Sequence, residues 1–418
     1  VVGRSIAAAL RGDGPLLGPP VPIPPTTVPR DEEASVVQVE PGDDLVELLA
    51  TIGPGSTVEF AAGTYDLDVA ILVEVDMTFS GAGIDDTVIS SSAEGVAVAF
   101  VGPGGFTVED MTIEHTGDLD ASVLLAIQGP LDLTRTELRG GSVSAESDGG
   151  GHGLVLAYDP IPGFPERTAE ERAGAVTIRE SQFVGNQAAG LLMTGDASPT
   201  ISNSVVEGNG GCGICFTSTS GGTVEASTVT GNQIGVQITG DATPRVVDSA
   251  VENNTAVGIS ADGDATIDVT YTRFVANAYV GVQATGAVGL TVVQSTFAEH
   301  DVGVLIAGTS TGSITNNAFE IHEVGVQAGA EASVEVRGNT IRGSAAAGIN
   351  FADDSTGVVA DNELTDAPEV AIQVIGAGTP EISGNTISTE GNVGISTLDD
   401  ATPSISDNEI RDRLVGVQ

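Results

Sequence analysis

Residues able to move a proton, hold an anion or ligate a metal fall in few places in this 418-residue chain. The richest is the stretch 139–174, which holds Glu146, Asp148, His152, Tyr158, Asp159, Glu166, Arg167, Glu170, Glu171 and Arg172. An imidazole or carboxylate there can act as a general base, and an arginine can grip an anionic substrate. If the chain has an active site, His152 or Asp159 is the expected base and Arg167 the expected anion contact. The plainer reading of His152, in Gly151-His152-Gly153, is a solvated turn histidine. A second place is the pair His300 and His322, with Glu299, Glu320 and Glu323 close by in sequence. Two imidazoles and a carboxylate suit zinc or copper; two polar turn residues are the blander account. Acidic turns recur at Asp196, Asp241, Asp262 with Asp264, Asp353 with Asp354, and Asp399 with Asp400. Asp is an ordinary turn residue, and such turns are also suited to gathering calcium loosely.

The elements that position these groups are set by a period. Glycine returns every 22 or 23 residues at Gly190, Gly213, Gly235, Gly258, Gly281, Gly303, Gly325 and Gly348; Ala371 takes the next turn, and Gly394 and Gly416 resume. Most sit between aliphatic residues, as in Val324-Gly325-Val326. In phase with them runs Ser181, Ser204, Ser227, Ser249, Thr272, Ser295, Asn317, Asn339, Asn362, Asn385 and Asn408, with an apolar residue two places after each. A third column reads Asn186, Asn209, Asn232, Asn254, Asn277, His300 and His322. A repeat this short has no room for a helix, and its runs of three to five alternating residues read as strands. Each repeat buries its apolar side only by stacking on its neighbours, so the chain is a solenoid of parallel strands. Asn at one turn can ladder its amides and tolerates the left-handed backbone such turns require. By the same stacking, His300 and His322 should lie about 5 Å apart, one coil over the other.

The glycine column, the Ser/Asn ladder and the interior aliphatic column resemble the right-handed parallel β-helix of the pectin-lyase-like superfamily over residues 36–418. Near the start, Pro41-Gly42-Asp43-Asp44 leads into Leu45, Leu48, Leu49 and Ile52, the spacing of one short amphipathic helix suited to plugging the end of a β-helix. Phe60-Ala61-Ala62-Gly63-Thr64-Tyr65 resembles that family's first-coil turn. The expected fold is all-β, with a Pro-rich arm at 1–35, a cap and first coil at 36–80, a coil with two inserted loops at 139–174, and regular coils at 175–418. The insertions show in the spacing. Fifteen residues separate Leu138 from Gly153 against seven from Phe183 to Gly190, and 30 separate Gly153 from Phe183 against 16 from Gly190 to Val206. Long insertions on a regular scaffold are where function tends to sit. Gly151-His152-Gly153 also resembles the Gly-His-Gly motif of polygalacturonases, whose other acidic and basic motifs have no counterpart here.

Composition narrows the partners. All 14 basic residues are arginine; against 58 acidic residues they leave a net charge of -44. That surface repels nucleic acid and anionic membranes, and resists polyuronates unless cations intervene. No apolar run is long enough to span a membrane. The chain breaks off within a repeat, at Gly416-Val417-Gln418, so either the sequence continues or that coil stacks end to end on another copy or domain. Cys212 and Cys215 lie three apart in a strand and so point to opposite faces; two buried thiols are expected, since one pair cannot complete a zinc site and a disulfide needs the chain to bend.

The resemblance implies that any enzyme would work on the outer face of one stacked sheet. With the residues before and after each glycine facing in, the residue two after it faces out. That column reads Cys215, Gln237, Ser260, Gln283, Leu305, Gln327, Asn350, Gln373, Ser396 and Gln418, with no carboxylate and no arginine. Amides and hydroxyls hydrogen-bond but exchange no protons at neutral pH. Tryptophan is absent, so platforms for sugar rings are scarce. The expectation is an exported, non-enzymatic extracellular or cell-surface protein that binds polysaccharide or protein, or assembles, through Gln237, Gln283, Gln327, Asn350 and Gln373. The alternative is a polysaccharide lyase, hydrolase or epimerase acting at 139–174.

Overall fold

A computed structural model of the chain describes residues 33–101, 104–127, 129–144, 149–158, 176–367 and 369–418, without the side chains of 389 and 390. The chain divides into two compact units, Val1–Thr228 and Val229–Gln418.

The first unit opens with strand Val36–Val39 and the helix Leu45–Thr51. Asp44 caps the helix by accepting a hydrogen bond from Glu47 N (3.0 Å), while Leu45 and Leu49 are buried. The helix packs beside strand Ile71–Val73, as its apolar spacing predicts. Tyr65 completes the first coil: its hydroxyl donates to the carbonyls of Val39 (2.9 Å) and Ala61 (3.0 Å). Phe60, Phe79 and Phe106 meet edge to face, 5.2 and 5.0 Å between centroids, and add aromatic bulk to the core at this end.

In the second unit one coil comprises strands Ala250–Glu252, Val257–Ala261 and Thr266–Thr270. Each pairs in parallel with its copy in the next coil, Arg273–Val275, Val280–Ala284 and Gly289–Val293. Val251, Ile259, Ala261, Ile267 and Val269 fill the interior. Phe274, Phe297 and Phe319 stack above one another at 4.7 and 4.8 Å, their rings nearly parallel. Buried asparagines stack beside them: Asn339 Oδ1 accepts from Asn317 N (2.8 Å) and Nδ2 (3.1 Å), and Asn339 Nδ2 donates to Ile314 O (2.8 Å). The ladder thus satisfies the backbone groups a turn leaves open.

The left-handed backbone is not carried by the ladder residue itself, contrary to expectation. It falls on the residue before it: Asp248, Tyr271, Gln294, Asn316 and Asp361 precede Ser249, Thr272, Ser295, Asn317 and Asn362, all with φ between 47° and 57°. The ladder side chain must turn inward to bond the neighbouring coils, so the outward residue takes the bend. Where histidine replaces asparagine, strands Thr296–Ile306 and Ala318–Ala328 run on through the turn, longer than the three to five residues predicted, while Glu299 (φ 62°) and Ile321 (φ 57°) keep the left-handed bend.

Candidate functional site

The outer face is organised by the corner at each glycine. A Cβ on Gly258 would lie 2.5 Å from Gly281 O and 2.9 Å from Asn277 Nδ2, and one on Gly235 2.5 Å from Gly258 O and 2.8 Å from Val251 Cγ1. The glycine therefore faces the crowded interior, as does the aliphatic residue after it. This corrects the expected alternation. The residue before the glycine is displaced towards the outer face: Ile234, Val257, Val302, Val324 and Val370 are half-exposed, while Val280, Ala347 and Val393 stay buried. Positions one before and two after the glycine thus share one face.

The cysteines demonstrate that geometry. Cys212 and Cys215 occupy these two positions around Gly213-Ile214, their Cα atoms are 5.9 Å apart, and they form a disulfide. The expectation of two thiols is overturned because the corner places both side chains on the same face.

Across the second unit the column two after the glycine is in strict register: Gln237, Ser260, Gln283, Leu305, Gln327, Asn350, Gln373 and Ser396. All but Ser396 are half-buried. Beside it runs the aliphatic column Ile234, Val257, Val280, Val302, Val324, Ala347, Val370 and Val393, paired in the same register. The face is uncharged, with hydrogen-bonding groups and apolar surface side by side. Asn350 Oδ1 is buried and has no hydrogen-bond partner.

The equivalent positions of the first unit are different, a feature the sequence reading missed by starting the column at Cys215. They read Leu72, Ala99, Leu125, Val155, Leu192 and Cys215, and Val155 and Leu192 are buried. The amide character belongs to the second unit. The signal was legible in the apolar residue two after Gly153 and Gly190.

His152 lies at the flank of the inserted stretch, and its neighbours explain the Gly-His-Gly sequence. Gly153 is itself a corner glycine: a Cβ there would lie 2.7 Å from Gly190 O. Gly151 has φ +78°. His152 occupies the position before the corner, level with Ala189, whose N–H donates to its Nδ1 (3.2 Å). It is half-buried rather than a solvated turn residue, and desolvation pushes its pKa down to about 4. The ring is neutral at neutral pH. Asp159 and Arg167, its expected companions, lie outside the described residues, as do Glu146, Asp148, Glu166, Glu170, Glu171 and Arg172. A histidine the sequence reading passed over, His115, is buried between Ala93 O and Ser142 Oγ, 3.1 Å from each.

His300 and His322 stack at 5.4 Å between centroids. Both are buried and continue the asparagine ladder: His300 Nδ1 accepts from Asn277 N (3.1 Å), and His322 Nε2 donates to Phe297 O (3.1 Å). Burial, then the neighbouring His300, push the pKa of His322 down to about 4. Glu299, Glu320 and Glu323 are exposed. Among the described residues no group of three or more His, Cys, Asp or Glu side chains could hold a metal ion. The acidic turns are tied to neighbouring coils, with Asp353 Oδ2 accepting from Ala330 N (3.0 Å) and Asp262 Oδ1 from Thr285 Oγ1 (3.3 Å).

Parallel coils, an inward asparagine ladder and glycine corners together define a right-handed parallel β-helix. The family model "Right handed beta helix region" matches residues 168–297 and 302–418, and the chain belongs to that family. No curated protein matches it in sequence. Among solved structures it is similar to the A-module of the mannuronan C-5 epimerase AlgE6 of Azotobacter vinelandii, with 12% identity, 87% of this chain and 91% of that one covered, and a TM-score of 0.42. The catalytic domain of a GH87 alpha-1,3-glucanase in complex with nigerose is 11% identical over 96% of this chain and 69% of that one, with a TM-score of 0.46. Tailspike protein 3 of bacteriophage CBA120 is 12% identical over 86% of this chain and 56% of that one, with a TM-score of 0.34. No helix among the described residues is long and apolar enough to cross a membrane.

Proposed function

We propose that the protein is an exported, non-enzymatic β-helix that binds neutral polysaccharide along the amide face of its second unit. What supports this reading is the uncharged column Gln237, Gln283, Gln327, Asn350 and Gln373 in a chain of net charge -44. A neutral glycan meets no repulsion there, amides can hydrogen-bond its hydroxyls, and the aliphatic column can pack against its C–H surface. The test is co-sedimentation with insoluble neutral glucans. The combined variant Gln283→Ala, Gln327→Ala, Gln373→Ala should bind about 10- to 100-fold more weakly, at about 1 kcal/mol or less per hydrogen bond, with unchanged circular dichroism. Unchanged glucan binding by this variant refutes the reading; a protein captured in place of a glycan makes the face a protein interface.

A second reading, a polysaccharide-processing enzyme with its site at 139–174, draws on the neutral imidazole of His152 beside the inserted loops. Turnover on a panel of pectate, alginate and neutral glucans, with and without calcium, that disappears in His152→Ala while the fold persists would establish it.

A further inference from the structure

The chain contains 15 asparagines, and Asn253-Asn254-Thr255 is the one place where an asparagine is followed two residues later by serine or threonine. That triplet is an acceptor sequence for N-linked glycan when it lies on an exported surface. Most of the other asparagines are buried ladder residues with their amides committed to the backbone. The triplet sits differently. Its middle residue, Asn254, anchors the turn, donating from Nδ2 to Val229 O (3.2 Å) and Asn277 Oδ1 (2.8 Å). Its flanks, Asn253 and Thr255, are exposed.

The surroundings leave room for a bulky substituent. Asn253 has left-handed backbone (φ 54°), so its side chain stands off the outer corner between strands Ala250–Glu252 and Val257–Ala261. The equivalent turn positions in the coils on either side are Gly231 and Ala276, among the smallest residues available. In the next coil Tyr279, hydrogen-bonded through its N–H to Ala256 O (2.9 Å), is 59% exposed. An exposed tyrosine offers the apolar ring face on which a sugar can lie.

We propose that Asn253 is an N-glycosylation site, modified during export from a lipid-pyrophosphate-linked oligosaccharide. Nδ2 of Asn253 forms a bond to the anomeric carbon of the oligosaccharide. The anomeric C–O bond breaks with its electron pair leaving on the lipid pyrophosphate, and Nδ2 releases one proton to a carboxylate base of the oligosaccharyltransferase. Thr255 supplies the hydroxyl the transferase recognises. In the cell this rests on the exported reading above; the acceptor competence of Asn253 does not, and can be measured separately.

The full chain would be secreted from a eukaryotic host with a second acceptor triplet in an added C-terminal tag. Molecules carrying glycan on the tag are selected, so every molecule scored has met the transferase. Enzymatic release in heavy-oxygen water followed by peptide mass spectrometry should show Asn253 converted to labelled Asp. Asn253→Gln and Thr255→Ala should each abolish that label while leaving the circular dichroism unchanged, because both side chains are exposed. Unmodified Asn253 in tag-glycosylated molecules, or glycan found on Thr255 instead, overturns the proposal.

Discussion

At the scale of single residues, most left-handed positions are Gly, Asp or Asn, but a few bends fall on side chains poorly suited to them. Ile321 has φ 57° and is 65% exposed. A β-branched residue in that region is a conformational outlier, at a cost of order 1–3 kcal/mol. Ile321→Asn should therefore stabilise the fold by about 1 kcal/mol, read as a higher denaturant midpoint with an unchanged slope. His322 makes a second test. Its folded pKa, about 4, lies below the ordinary 6.5, so between those values the unfolded chain binds the proton and the folded chain does not. Stability contributed by this group is present above about pH 6.5 and is lost as pH falls towards 4. His322→Asn restores the ladder residue of the lower coils and should flatten that decline by on the order of 2 kcal/mol at pH 4.5. Denaturation of both proteins at several pH values measures the difference, which separates the ring from the many carboxylates titrating nearby. Equal pH dependence in the two would show that the buried ring does not govern it.

At the scale of the element, the coil was largely legible from sequence. The period of the glycines, the inward aliphatics and the Ser/Asn column are side-chain statements, and side chains are what a sequence records. The corner was not legible, because strict alternation assumes a regular pleat. Gly258 and its neighbours interrupt the pleat, turning two successive residues inward and sending Val257 out beside Ser260. The same oversight put Cys212 and Cys215 on opposite faces. His152 was readable as one of few histidines, but its place before a corner glycine depended on the coil around Gly153. The corner makes a strong prediction: Gly258→Ala should destabilise the fold by about 1–3 kcal/mol through overpacking, although Ala371 is native at an equivalent position. Asn339→Ala should lose more, about 2–4 kcal/mol. It removes the acceptor of Asn317 N and Nδ2 and leaves buried donors unpaired. Chemical denaturation of both variants checks the ranking; an Asn339→Ala effect under 1 kcal/mol would mean that the ladder is incidental.

At the scale of the whole molecule, charge dominates. Ion pairs such as Arg135 with Asp110 (2.6 Å) and Arg337 with Glu335 (2.8 Å) and Asp361 (3.1 Å) occupy the surface, but exposed pairs each contribute little. Fourteen arginines cannot neutralise 58 carboxylates. Self-repulsion should make folding depend on screening. Raising sodium chloride from about 10 mM to about 1 M, which shortens the Debye length from about 30 Å to about 3 Å, should raise the melting temperature by several degrees. We propose that the acidic turns gather calcium, so that millimolar calcium should exceed sodium chloride of equal ionic strength. A melting temperature indifferent to salt would refute the first expectation, and equal effects of the two salts the second.

The position of the ladder turns has one more consequence. Since each coil begins and ends at the same inward residue, the molecule's length is quantised. Removing Thr272 through Gln294 would join Tyr271 to Ser295, replacing one ladder residue by its own counterpart. Such a splice shortens the solenoid by one whole step and leaves every remaining column in phase, whereas a cut of half that size would put core residues in water. Lineages carrying this fold are thus free to lengthen or shorten their outer face in integer units.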